Sequence, residues 1–301
     1  VRARTRAEAA RWAELACLLE VAAPKPGNVN RRHDFADATL PDFLASATAL
    51  GEALRGRGPL RLGKGVLRAV RGTRRLTGTN TNLGMALLLV PLALGAVRSP
   101  RGALREGVRS ALDGADAEDA RLVYEAIRLA APGGLGRAER HDLSGEAPPS
   151  LREAMAEAAS RDSVAREYVS GFERTFGLVL PALRRGLTGG LDLSGAILRA
   201  FLEVLAAVPD TLIARKAGPE AAEEVSGAAR ALRDRSAPEG PIDPEGLATL
   251  DARLRSRGNL LNPGTTADLT AAGLFALLAE APPGSEGAIL RANRDPRPSP
   301  S

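Results

Sequence analysis

Asparagine and lysine are rare in this chain, and they are not scattered. Of seven Asn, six fall in three short segments: Asn28 and Asn30, Asn80 and Asn82, Asn259 and Asn262. Only three of the 41 basic residues are Lys. Two of these, Lys25 and Lys216, sit in short polar stretches, Pro24-Lys25-Pro26-Gly27-Asn28 and Ala214-Arg215-Lys216-Ala217-Gly218. Asn favours turns for its own local reasons, which explains part of such clustering. Four polar segments nonetheless stand out against an Ala-, Arg- and Leu-rich background.

The segment Thr77-Gly78-Thr79-Asn80-Thr81-Asn82-Leu83-Gly84 runs straight into the most apolar stretch of the chain. Hydroxyls, amides and free N–H groups at a helix N-terminus favour an anion such as phosphate. One capping residue would suffice, so Thr79, Asn80, Thr81 and Asn82 exceed what a cap requires. Asn262-Pro263-Gly264-Thr265-Thr266-Ala267-Asp268 repeats the pattern with a tight turn, two hydroxyls and an acid. In the 24–34 loop, Lys25, Arg31 and Arg32 could touch phosphate, and Gly27 lets the backbone approach closely. In Pro209-Asp210-Thr211-Leu212-Ile213-Ala214-Arg215-Lys216, a carboxylate beside two cations could hold Mg²⁺ and a polyphosphate together. Rigid turns, ordinary caps and local ion pairs are the plainer alternatives for each. A fifth group, 132–136 with His141, Asp142 and residues 160–163, is Gly-rich but is neither a Walker A nor a Rossmann fingerprint. With two His and one Cys (Cys17), disulfide frameworks and Cys- or His-built metal cages are excluded. The set suits a nucleoside triphosphate carried with magnesium.

The elements that must hold these segments read as helices. Apolar residues recur at helical spacing over 4–22, 41–54, 60–76, 116–131, 150–159, 162–185, 193–208, 219–233, 244–257 and 265–280, with the apolar run through Val97 between them. Alternating strands are nearly absent, and aromatic residues make up 3% of the chain. The expected fold is all-α: one compact multi-helix domain of ten to twelve helices over residues 1–287, with a disordered tail at 288–301 rich in Arg, Pro and Ser. The net charge is +5, but the bases are interleaved with 36 acids and lack aromatic partners, so no nucleic acid partner is expected. The longest apolar run, Met85 to Val97, contains Pro91 and is too short to span a bilayer. The N-terminal stretch does not read as a signal peptide, so a cytoplasmic protein with no membrane partner is expected. Oligomeric state is not legible.

In this order, the segments resemble the triphosphoribosyl-dephospho-CoA synthase family, which makes the prosthetic-group precursor of citrate lyase and malonate decarboxylase. The matching pieces are Pro24-Lys25-Pro26-Gly27, Phe43-Leu44-Ala45-Ser46, Thr77 to Gly84, Asp210-Thr211, and Pro263-Gly264 through Ala267-Asp268-Leu269. The resemblance implies an all-α enzyme. ATP would donate its triphosphoribosyl group to the 2′-hydroxyl of a 3′-dephospho-CoA-type acceptor, and adenine would leave. The chain departs from the citrate-lyase branch in three places, one being the more basic stretch Leu212-Ile213-Ala214-Arg215-Lys216 after Asp210-Thr211. That branch has Asn-Thr-His-Lys-Gly where this chain has Asn80-Thr81-Asn82-Leu83-Gly84. Phe35 fills the His position two residues before Asp37. A paralogous nucleotide-using enzyme of another cofactor pathway, or a non-catalytic helical binding protein, are the alternatives.

Within this frame, Lys25, Gly27, Asn28, Arg215 and Lys216 are expected at the nucleotide, together with Thr79, Asn80, Thr81, Asn82, Thr265 and Thr266. Asp210 is expected at Mg²⁺, and Asp37 and Asp268 at acid–base work. Lys25, Asp37, Asn80, Asp210, Arg215 and Asp268 should then line one cleft, because one substrate must touch them all.

Overall fold

The computed structural model describes residues 4–131, 145, 147, 150–237 and 239–292. Among these residues there are fifteen α-helices and no strand. In chain order they are α1 (Arg6–Ala22), α2 (Leu40–Arg55), α3 (Leu62–Thr77), α4 (Leu83–Arg98), α5 (Leu104–Asp113), α6 (Ala117–Ala130), α7 (Leu151–Ala158) and α8 (Ser163–Ser170). Then follow α9 (Leu180–Thr188), α10 (Leu193–Ala207), α11 (Thr211–Ala217), α12 (Pro219–Arg235), α13 (Pro244–Arg255), α14 (Gly264–Glu280) and α15 (Glu286–Leu290). The expected all-α architecture is what forms. Helix α15 takes in residues 288–290, which the sequence assigns to a disordered tail, and it is anchored by Trp12 Nε1 donating to Glu286 at 3.3 Å. No helix among the described residues is long and apolar enough to cross a membrane.

Several helix starts follow directly from short polar side chains. Thr5, Asp116, Ser150, Asp162, Asp192, Asp210 and Asp243 each accept a backbone N–H from the first turn that they precede. Helices α4 and α14 are buried over most of their surface and form the centre. Helix α1 packs on both, with Trp12 edge-on to Phe275 at 6.3 Å, and α2, α3 and α6 follow outward in turn. A second, smaller apolar cluster joins α10 to α13 around Phe201, Ile213 and Leu232.

Two irregularities have local causes. Pro91 lies inside α4 and has no N–H to offer the Leu87 carbonyl one turn back. The Tyr168 hydroxyl donates to that carbonyl instead, at 2.7 Å, and ties α8 to α4. The second is the stretch 162–185, whose apolar spacing predicts one helix. The structure breaks it at Gly171 and Phe172, both with positive φ (66° and 60°). The new start is capped from inside: the buried Glu167 carboxylate accepts Arg174 N, Thr175 N and the Thr175 hydroxyl at 3.0, 3.0 and 2.6 Å. A π-helical turn, Thr175–Val179, then leads into α9.

Helices α4 and α5 meet backbone to backbone. A Cβ on Gly95 would stand 2.6 Å from Val108 N and 2.9 Å from the Gly107 carbonyl carbon, neither of which can move aside independently. Gly95→Ala should therefore destabilise the fold by about 1–3 kcal/mol, read as a lower urea midpoint with an unchanged m-value.

Candidate active site

The N-terminal ends of α4 and α14 open onto one cleft of about 820 Å³. Its walls come from the end of α1 and the loop to α2, the α3–α4 junction, α6 and α7, the start of α8, α11, and the turn before α14. At the α4 end, Asn80 Oδ1 accepts Leu83 N at 3.2 Å. Asn82 turns its amide away from the helix and donates to the Ser46 carbonyl of α2 at 3.1 Å. The Thr81 and Ser46 hydroxyls are hydrogen-bonded to each other. The N–H groups of Gly84 and Met85 find no protein acceptor among the described residues. This leaves a helix N-terminus open towards the cavity, where a negative charge is favoured.

Asp210 does not reach the cleft. Its side chain is 2% exposed, and all four of its hydrogen bonds go to protein. Oδ1 accepts Leu212 N and Ile213 N (2.8 and 3.1 Å), capping α11. Oδ2 accepts Thr266 N and the Thr266 hydroxyl (2.7 and 2.8 Å) in the first turn of α14. Burial pushes this carboxyl up, and the Thr266 bonds pull it down. With two donors on each oxygen, Asp210 clamps two helix starts together and stands outside the cavity lining where the magnesium role was expected of it. Thr266 belongs to the same clamp and lies outside the cavity lining.

Lys25, expected at the nucleotide, is likewise absent from the cavity lining. It is 1% exposed, forms an ion pair with Glu20 at 3.0 Å, and donates to the Glu20 carbonyl at 2.5 Å. It holds the end of α1 together and is shielded from any phosphate in the cavity. Gly27, at φ 70°, serves packing: a Cβ there would sit 2.7 Å from Leu254 Cβ, and its N–H donates to Asp251 at 2.7 Å. Asn28 does line the cleft. Arg31 and Arg32 are exposed and do not.

The remaining expected residues converge. Arg215 and Lys216 of α11, Asp37, Thr79, Asn80, Thr81, Asn82, Thr265 and Asp268 all line the cavity. Asn259 joins two of them, giving Nδ2 to Asp37 at 2.6 Å and taking Lys216 Nζ on its carbonyl at 3.2 Å. Burial pushes the Lys216 ammonium down, and Asp37 opposes the shift. Arg215 pairs with Asp162 at 2.8 Å, while the other Asp162 oxygen caps α8. Of the six residues expected in one cleft, Asp37, Asn80, Arg215 and Asp268 are there, and Lys25 and Asp210 are behind its walls. Sequence reasoning missed Glu20, Arg74, Tyr124 and Met155, which sit mid-helix or at helix ends with no local sign of facing a cavity, while Arg161 and Asp162 of the fifth group do line it. The Gly-rich group at 132–136 and His141-Asp142 lie outside the described residues.

Asp268 differs from the other carboxylates. It has no hydrogen bond or ion pair among the described residues, and its Oδ2 lies where a Cβ on Gly84 would be, 2.0 Å away. Gly84 is what admits this carboxylate to the end of α4. Burial pushes the Asp268 carboxyl well above the usual range, Glu20, Asp210 and Asp162 push the same way, and Arg215 opposes them.

The all-helical scaffold thus carries a polar cleft with an open helix end, flanking cations and a carboxylate without a hydrogen-bond partner among the described residues. The family model for CitG, ATP:dephospho-CoA triphosphoribosyl transferase, matches residues 6–286. A protein of Azotobacter vinelandii assigned as 2-(5''-triphosphoribosyl)-3'-dephosphocoenzyme-A synthase is 30% identical over 273 residues, covering 89% of this chain and 90% of that protein. The synthase of that name from Pectobacterium atrosepticum is 33% identical over 105 residues, a match spanning 35% of this chain and 33% of its own length. A crystal structure from Archaeoglobus fulgidus assigned as a triphosphoribosyl-dephospho-CoA synthase superposes with a TM-score of 0.61 at 29% identity, over 80% of this chain and 99% of that one. The chain belongs to the ATP:dephospho-CoA triphosphoribosyl transferase family.

Folded Asp268 keeps its proton at pH values where the unfolded carboxyl, with a pKa of about 4, has released it. Its contribution to stability is therefore lost as pH rises through the raised value. Asp268→Asn should melt above the parent at neutral pH and converge with it in acid. Asp210→Ala, which leaves four donors unpaired, should melt well below the parent at every pH. Thermal melts of both variants across pH check the contrast.

Proposed function

We propose that the cleft binds ATP and a dephospho-CoA-type acceptor together and transfers the triphosphoribosyl group between them. The acceptor 2′-oxygen bonds to the ribose C1′ of ATP, the C1′–N9 bond breaks, and adenine leaves with the bonding electrons. The observation that carries this reading is the Asp268 carboxylate: it faces the cavity, is free of partners among the described residues, and is raised in pKa. Asp268 would take the proton of the attacking hydroxyl as general base. As C1′ gains positive charge, the carboxylates around it favour the transition state. Asp37, at the rim and already held by Asn259, would orient the acceptor.

Arg215, Lys216 and the open end of α4 would hold the triphosphate. The cavity lining also carries Arg74 and Arg161, but Glu20, Asp37, Glu157, Asp162 and Asp268 offset these four cations. A polyphosphate entering so balanced a cleft needs a counter-charge of its own. Among the described residues no group of three or more His, Cys, Asp or Glu could hold a metal ion. The donor set therefore fits Mg²⁺ arriving with the nucleotide, mostly ligated by phosphate and water with at most one or two carboxylates.

Purified protein given ATP, Mg²⁺ and dephospho-CoA should release adenine; none released would overturn the reading. Asp268→Asn should lower turnover by about 10²–10⁴-fold with an unchanged far-UV CD spectrum. Arg215→Gln should raise the KM for ATP more than that for the acceptor, measured by initial rates of adenine release.

A further inference from the structure

The chain has nine aromatic residues: six Phe, two Tyr and one Trp. Most of them serve the core, but Phe35, Phe43 and Tyr124 belong to neither apolar cluster, and all three line the cleft. Tyr124 is buried, whereas Phe35 and Phe43 are half-buried. We propose that Phe35 and Phe43 form a purine-stacking site in the cleft, with the Asn28 amide as its hydrogen-bonding edge.

Phe35 is held rigidly from behind. The Arg255 guanidinium lies 5.9 Å from the ring centroid and is not itself part of the cavity lining. It is fixed in turn by Asp251 at 2.9 and 3.0 Å and by the Asn28 carbonyl at 2.7 Å. One face of Phe35 is thus committed to a cation, while the residue still borders the cavity. Phe43 stands in the first turn of α2, one turn before Ser46, which meets Thr81 and Asn82 at the head of α4. Asn28 is 6% exposed, and its Nδ2 has no partner, although the same residue lines the cleft. A buried amide N–H without an acceptor is costly, and a ring nitrogen would satisfy it. A purine supplies what these groups lack: a flat π-face to stack and acceptor nitrogens along its edge.

This inference rests on the reading that nucleotides occupy the cleft, and both proposed substrates carry an adenine. Calorimetric titrations of the full chain with ATP, dephospho-CoA, adenosine and inorganic tripolyphosphate separate the cases. In Phe35→Leu and Phe43→Leu, affinity should fall roughly tenfold for whichever nucleotide places its base here and for adenosine, with tripolyphosphate unaffected. Phe35→Tyr should restore binding. A loss confined to ATP assigns the stack to the leaving base, and a loss confined to dephospho-CoA assigns it to the acceptor. Unchanged affinity for adenosine and both nucleotides in the two Leu variants would overturn the proposal. Failure of tripolyphosphate to bind the wild-type chain would instead count against the triphosphate site, leaving the adenosine result to judge the stack.

Discussion

A single buried carboxylate fixes the geometry on which the cleft depends. Asp210 spends its four acceptor positions on the starts of two helices, α11 and α14. Those helices bring the cations Arg215 and Lys216 on one side, and Thr265 and Asp268 on the other. A charged group so deep is tolerable only because every lone pair is met. The same saturation makes it directional: each donor is a backbone N–H or a hydroxyl in a first turn, so the two axes are set relative to each other.

The cleft itself is organised around groups left unsaturated. The α4 N–H groups, the Asn28 amide and the Asp268 carboxylate each lack a protein partner among the described residues. Away from the cleft, local deficits are repaired by side chains, as where the Tyr168 hydroxyl replaces the N–H that Pro91 cannot supply. Open N–H groups favour a negative charge, while the Asp268 environment of Glu20, Asp210 and Asp162 resists one. The cleft therefore favours added anionic charge at one place and resists it at another a short distance away.

The helices were legible because their starts are written locally. Asp116, Asp162 and Asp210 precede apolar periodic runs, and Pro219 and Pro244 stand at first-turn positions. The break after Gly171 was not legible, since Val164, Tyr168, Phe172 and Phe176 keep helical spacing straight through it. Its cap, Glu167, acts from inside the preceding helix. Four of the six residues expected to meet do meet, because rare Asn, Thr and Asp at helix entries signalled a shared surface. Lys25 and Asp210 misled for one reason. A charged residue in a polar loop reads as exposed, and only the packing of distant helices reveals that its partners are internal. Asn259 shows the reverse: its rarity hinted at use, and the structure places it between Asp37 and Lys216.

The cleft draws on both ends of the folded chain, from Glu20 at the close of α1 to Asp268 in α14. During synthesis, the last wall emerges some 250 residues after the first. A nascent chain or a truncated fragment thus carries no half-working version of the site. Occupancy becomes a report on complete folding, and a nucleotide that binds only the finished cleft draws the whole population towards the assembled state by mass action.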